Sequence, residues 1–175
     1  MRSDKELLER ANEGDAEAFE ALYRRHRDWV YRLAWRFTNN HADALDVLQE
    51  TFTYLLRKLP HLRLTASMTT FLYPVVKHLS LNLRRRRGGS AIDEETLLAI
   101  PDPAPAQTSR GELAAVLAAL PPDQREVVLM RFVDDMSLDE IAQALKTPLN
   151  TIKSRLYRAL DTLRNDPGTR GYFLG

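Results

Sequence analysis

Residues 137–160 read SLDEIAQALKTPLNTIKSRLYRAL. Ser137 and Glu140 have the spacing of a capping box, in which each side chain satisfies a free backbone N–H of the other at a helix start. Leu138, Ile141, Ala142 and Leu145 then recur at three and four, the apolar face of a helix barely two turns long. Thr147 is placed to cap a second helix with Pro148 at its first position, where a missing N–H costs nothing. In that second helix Ile152, Leu156, Ala159, Leu160 and Leu163 point inward, leaving Asn150, Ser154, Tyr157 and Arg158 outward with Lys153 and Arg155 on the flanks. Two short helices joined by a tight turn make a helix-turn-helix. No acid occurs from Lys146 to Leu160, and acids are costly on a surface that approaches phosphates, whereas Arg, Lys and Asn bond phosphates or base edges. The alternative is a solvated face in an ordinary bundle. Agreement of caps, turn length and charge favours a reader of the major groove of duplex DNA.

The same helical period runs through the rest of the chain, and strand-like alternation is absent, so the fold class is all-α. Ser3 with Glu6 fits a capping box for a short first helix. Asp15 caps a second whose buried stripe is Phe19, Leu22, Tyr23, His26, Val30, Leu33 and Phe37, and which Asn39 and Asn40 end. A third helix runs from about Ala42 to Leu59 with Leu45, Leu48, Phe52, Leu55, Leu56 and Leu59 inward, and Pro60 stops it. A fourth begins near Phe71 and ends in the run Arg84 to Arg87. Residues 89–109, with IPDPAPAQTS inside, cannot hold a regular helix and read as a flexible linker. Order resumes at Ser109, where Ser109 and Glu112 repeat the capping box. That helix ends at Pro121 and Pro122, and Pro122 starts the next, to about Val133. The expected organisation is two small helical domains, 1–88 and 110–175, the first a helical bundle and the second carrying the helix-turn-helix.

With 175 residues, 44% hydrophobic and 28% charged, the composition is globular. No apolar run approaches the roughly 20 residues that cross a bilayer, and the first residues, MRSDKELLER, hold no signal-peptide core, so membrane insertion is not expected and the cytoplasm is the default. The chain has no cysteine, which excludes disulfides and thiolate metal sites. The net charge of +1 hides an uneven distribution: residues 71–90 hold 5 basic and 0 acidic residues, residues 91–112 hold 1 and 5, and residues 113–175 hold 8 of each. A local basic patch is what phosphate contact requires.

Two helices of the first domain carry further chemistry. The third has a polar face of Asp43, Asp46, Gln49, Glu50 and Thr53, its carboxylates on one side. Plain surface charge, a carboxylate site for a hard cation, and a docking face for a basic protein surface all fit it. His26, His41, His61 and His78 lack metal-ligand spacing and read as core or surface residues, so no metal is expected. The fourth helix carries Lys77, His78, Asn82 and Arg84 to Arg87 beside Phe71 and Tyr73, after the polar loop Leu64 to Thr70. Cations with aromatics suit single-stranded DNA, where bases stack on rings and the backbone follows positive charge. The alternative is a solvated helix end favoured by the macrodipole.

The string DALDVLQETFTYLLRKL, residues 43–59, resembles the most characteristic segment of bacterial sigma factors of the sigma-70 family. There two aspartates and a Gln-Glu-x-Phe share one helix, here Asp43, Asp46, Gln49, Glu50 and Phe52. FLYPVVKHLSLNLRRRR looks like the promoter-melting segment that follows, and LAALPPDQREVVLMRFVDDMSLDEIAQALKTPLNTIKSRLYRAL looks like the C-terminal DNA-reading domain. Two domains and a linker resemble the extracytoplasmic-function group.

The resemblance implies an alternative sigma factor with no catalytic residues and no cofactor. It would bind core RNA polymerase, direct it to promoter DNA as duplex and as melted strand, and in many relatives be held by an anti-sigma protein. Asp43, Asp46, Gln49, Glu50 and Thr53 would dock on the clamp coiled coil of the largest polymerase subunit. Phe71, Tyr73, Lys77, His78, Asn82, Arg84 and Arg85 would hold the melted minus-ten element, with the loop Leu64 to Thr70 beside them. Asn150, Lys153, Ser154, Arg155, Tyr157 and Arg158 would read the minus-thirty-five element. The sequence departs from the family pattern in three places. Pro74 stands where a basic or polar residue is usual, so the melting helix starts near it or bends there. Phe71 lies near a common tryptophan. Lys146 replaces the usual turn glycine, and a positive φ there would cost about 1 kcal/mol. A stand-alone operator-binding regulator and a helical enzyme with a divalent ion on Asp43, Asp46 and Glu50 are the competing readings.

Overall fold

A computed structural model describes residues 2–88 and 108–169, with side chains described outside 108–113. All regular structure among the described residues is helical: α1 (Asp4–Asn12), α2 (Ala16–Thr38), α3 (His41–Lys58), α4 (Met68–Arg86), α5 (Thr108–Ala119), α6 (Pro122–Phe132), α7 (Leu138–Leu145) and α8 (Leu149–Asn165). The chain divides into two compact units, residues 1–89 with α1 to α4 and residues 90–175 with α5 to α8. The stretch 89–107, expected as a linker, and the side chains of the Ser109–Glu112 box lie outside the described residues.

In the first unit α2 packs against α1, α3 and α4. Its buried Leu22, Val30, Leu33, Ala34 and Phe37 meet Leu7 and Leu8 from α1, Val47, Phe52 and Leu55 from α3, and Leu72 and Val76 from α4. Helix starts follow local chemistry. Ser3 and Glu6 form the reciprocal capping box, and Asp15 accepts from the amides of Glu17 and Ala18. Hydrogen bonds from Ser3, backbone then hydroxyl, hold the Glu6 carboxyl below its ordinary pKa. The Ala18 amide, then Arg10, does the same for Asp15. Asn39, left-handed at φ 50°, ends α2, and the Asn40 side chain accepts from Asp43 N–H to start α3. Buried His26 bonds Asp4 at 2.8 Å, and Arg25 reaches the same carboxylate at 2.5 Å, pinning α1 to α2.

Two expectations for this unit are corrected. In α3 the buried stripe is Ala44, Val47, Thr51, Phe52 and Leu55, while Leu45 and Leu56 are 44% and 49% exposed. Leucines crowd both sides of this helix, so choosing by size rotates the stripe. The side actually covered includes small Ala44 and Thr51, whose hydroxyl is satisfied by donating to the Val47 carbonyl at 2.7 Å. α4 begins at Met68, before Phe71, because Ser67 accepts from Thr70 N–H, and it runs through Pro74. Pro74 has no N–H for the Thr70 carbonyl. Hydroxyl contacts of Ser67 with Thr69 and Thr70, at 2.9 and 2.8 Å, together with buried Met68 and Leu72, hold this turn.

In the second unit α6, α7 and α8 pack together around Val127, Met130, Met136, Ile141, Ile152, Leu156 and Ala159. Ser137 and Glu140 form their capping box. The start of α8 differs from expectation. Pro148 is the N-cap itself, and the Thr147 hydroxyl donates back to the Leu145 carbonyl at 3.1 Å instead of capping forward. The turn between α7 and α8 bends at Lys146, at φ 50° and ψ 44°. That left-handed conformation strains a residue with a Cβ by about 1 to 2 kcal/mol. Lys146→Gly is therefore expected to stabilise this unit by about 0.5 to 1 kcal/mol, the relief exceeding the added entropy of the unfolded chain. Urea denaturation checks it, and unchanged or lower stability would show that the turn is not strained.

Candidate nucleic-acid and partner interfaces

α3 turns one polar stripe to solvent. Asp46, Gln49 and Glu50 are exposed and Thr53 is half-buried, its hydroxyl donating to the Gln49 carbonyl at 2.9 Å. Leu45 and Leu56 stand at either end, so the face is acidic at its centre and apolar at its ends. Asp43, three residues before Asp46 and on the same side of α3, is not exposed with it. It lies in the first turn of α3, buried, with Arg87 Nη1 2.6 Å from its Oδ1. It faces Arg87, the C-cap residue of α4, so it braces the two helices in place of standing exposed with Asp46 and Glu50. Asp46, Gln49 and Glu50 also line a groove of about 370 Å³ with Leu79, Asn82 and Arg86 of α4.

On α4 the aromatic and basic residues separate into two sets. Tyr73, 1% exposed, packs edge-on against Phe37 at 6.2 Å. It shares a face with buried Val76 and Ser80, three and seven residues on, so it is a core residue and is corrected from a DNA contact. Arg84 donates to the Phe37 carbonyl at 3.1 Å, tying α4 to the end of α2, and Arg87 holds Asp43. Arg85 and Arg86 are exposed, His78 is exposed and accepts from Asn82 Nδ2 at 2.9 Å, and Lys77 is half-buried. The outward stripe is thus Phe71, His78, Asn82 and Arg85, apolar at one end and cationic at the other. Phe71 lies nearly parallel to Tyr54 of α3, with centroids 6.3 Å apart and planes at 25°.

On α8, Asn150, Lys153, Ser154, Tyr157 and Arg158 are exposed, Tyr157 at 69%. Arg155 stands off this stripe. Its Nε is 3.0 Å from Asp123 Oδ2 on α6, so it braces the helix from the flank. The sequence reading overlooked Arg125. Its side chain is buried and donates to the carbonyls of Leu117 at 2.8 Å, Ala118 at 2.6 Å and Leu120 at 2.9 Å, closing the end of α5. A charged residue in register with Val128 and Leu129 of the apolar run EVVLM was the available signal. Tyr54 and Lys58 were also overlooked, because no motif marks them. Among the described residues no cluster of three metal-binding side chains occurs, and no helix is long and apolar enough to cross a membrane.

Comparison with known proteins matches two segments of the chain to two regions of one family. Residues 22–89 match the family model described as Sigma-70 region 2, and residues 110–163 match Sigma-70, region 4. The ECF RNA polymerase sigma factor SigE of Mycolicibacterium smegmatis is 34% identical over 157 residues, 85% of this chain and 61% of that protein, so the chain spans less than two thirds of that relative. In fold, the chain is similar to CnrH, solved in complex with the cytosolic domain of CnrY, at 24% identity and a TM-score of 0.68, covering 92% of this chain and 94% of that one. It is also similar to the sigma factor RpoE of Bartonella quintana, solved with the anti-sigma factor NepR, at 21% identity and a TM-score of 0.65, covering 85% and 96%.

Proposed function

This chain belongs to the sigma-70 family, in its extracytoplasmic-function group, and from that premise we propose that it is an alternative sigma factor that binds core RNA polymerase, directs it to specific promoters and assists their melting. It performs no catalysis, needs no cofactor and works in the cytoplasm beside the polymerase that makes RNA. Residues 1–88 dock and melt, 89–109 span between the two promoter contacts, and 110–175 read the upstream element.

The observation that carries this reading is the placement, within one unit, of an exposed acidic stripe on α3 next to a partly exposed aromatic-to-cationic stripe of α4. Asp46, Gln49 and Glu50 are the docking residues, with Leu45 and Leu56 adding apolar area to a charge-complementary contact. Phe71, His78, Asn82 and Arg85 face the melted minus-ten strand. Asn150, Lys153, Ser154, Tyr157 and Arg158 face the minus-thirty-five duplex. An anti-sigma partner, of the class solved with the Bartonella sigma factor RpoE, would silence the factor by covering either stripe. Reconstitution tests the whole reading: core polymerase with this chain should yield promoter-specific transcripts and thymines reactive to permanganate near the start site, and core polymerase alone should not. Equal transcription with and without the chain would overturn it.

Arg158 is exposed on α8, away from the core. Arg158→Ala is expected to weaken binding to upstream duplex by about 1 to 3 kcal/mol if it reads a base, with no change in melting temperature. Gel-shift titration and a thermal melt together check this. A collapse of stability would mean that Arg158 faces the core instead.

A further inference from the structure

We infer that Tyr54 and Lys58 of α3 complete the single-strand surface of the first unit: an unstacked base of the melted strand lies on the Tyr54–Phe71 pair, and Lys58 binds the adjoining phosphate. This rests on the reading of α4 as the melted-strand helix and extends it onto a second helix. Among the described aromatic ring pairs of this unit, Phe19 and Tyr23 meet Phe52 edge-on, Phe37 meets Tyr73 edge-on, and Tyr31 meets Trp35 tilted at 37°. Tyr54 and Phe71 instead lie near-parallel at 25° with centroids 6.3 Å apart, and both are half-buried, so each ring keeps part of its surface open to solvent. The exposed Lys58 ammonium lies over the Tyr54 ring, 5.0 Å from its centroid, a long flexible cation that can swing aside to a phosphate as a base takes its place on the ring.

The pair continues the outward stripe of α4. From Arg85 the stripe passes Asn82 and His78 to Phe71, about 21 Å along a helix axis at 1.5 Å per residue, and Tyr54 with Lys58 extends it beyond Phe71. Lys58 places a cation at that end. An aromatic ledge followed by a cation is the chemistry that holds single-stranded nucleic acid without regard to base identity.

Holoenzymes assembled from core polymerase and each variant, titrated with fluorescein-labelled single-stranded DNA of mixed sequence, test it. Tyr54→Leu is expected to weaken binding about tenfold, since it removes one stacking face, and Tyr54→Phe to bind as wild type. Lys58→Gln is expected to weaken binding about threefold and to reduce the slope of log affinity against log salt by about 0.7, the value for one lost phosphate contact on a single strand. Core-polymerase affinity should be unchanged in all three. Lys58 is exposed, so its salt slope stands as a readout even where Tyr54→Leu perturbs packing. Wild-type affinity or slope in Lys58→Gln, or wild-type affinity in a folded Tyr54→Leu, overturns the inference while leaving the wild-type holoenzyme a single-strand binder. A wild-type holoenzyme that does not bind single strands overturns the reading of α4 and this inference with it.

Discussion

A chain carrying Asp46→Arg together with Glu50→Arg is expected to lose capture of core RNA polymerase by about a thousandfold or more. Both side chains are exposed on the outer stripe of α3, and neither enters a described salt bridge within the chain. Removing one partner of a charge pair at an interface typically costs about 2 to 5 kcal/mol, and reversal adds repulsion where attraction stood. Two such positions exceed the roughly 4 kcal/mol that corresponds to a thousandfold at about 1.4 kcal/mol per decade. The fold should be indifferent, because exposed substitutions away from caps and cores usually stay within about 0.5 kcal/mol. Biosensor titration against immobilised core polymerase, paired with a thermal melt, separates docking from stability. Undiminished binding by the double variant would remove α3 as the docking element. A divalent-ion enzyme built on the same carboxylates fares poorly, since Asp43 is buried and already paired with Arg87.

The second large effect is structural. Arg125→Met is expected to destabilise the second unit by about 3 kcal/mol or more, as the carbonyls of Leu117, Ala118 and Leu120 lose a buried guanidinium donor, Leu117 alone keeping a described second donor in the Leu120 amide. Each polar group left unpaired in the interior costs about 1 to 3 kcal/mol, and more where the lost partner is charged. A cation at the C-terminal end of a helix also complements the macrodipole, so the loss is electrostatic as well as geometric. Hydrogen exchange resolves the two units separately: amides of α6 to α8 should exchange faster and those of α1 to α4 should not change. Binding of the upstream duplex would fall with stability, the opposite of the pattern for Arg158→Ala. Unchanged exchange in α6 to α8 would show that water replaces the guanidinium at little cost.

Much of this molecule is legible in its sequence because its signals are local. The boxes Ser3–Glu6 and Ser137–Glu140, the Asp15 cap and the stops at Asn39 and Pro60 depend on residues within one turn of each other, and the helices start and stop close to where those residues put them. The exposed row Asn150, Lys153, Ser154, Tyr157 and Arg158 was equally readable, since in α8 the apolar residues occupy one side only. α3 was harder because leucines occupy two sides. The period identified a helix but not its rotation, and only the neighbouring α2 and α4 chose the side with Ala44 and Thr51. Where helix propensity met Pro74, burial of Met68 and Leu72 outweighed one missing hydrogen bond.

The sequence by itself determined the helical class, nearly every helix boundary, the family resemblance and the outward row of α8, because spacing at three and four residues and capping chemistry act within a single helix. Tertiary structure alone decided the division of labour among like residues: Tyr73 in the core while Phe71 stays at the surface, Asp43 and Arg87 bracing each other while Asp46 and Arg85 face solvent, Arg155 drawn to Asp123, and Tyr54 laid beside Phe71. Each of those outcomes depends on which distant side chain arrives within a few ångströms. A charge or a ring carries no mark of its partner until the packing of another helix supplies one.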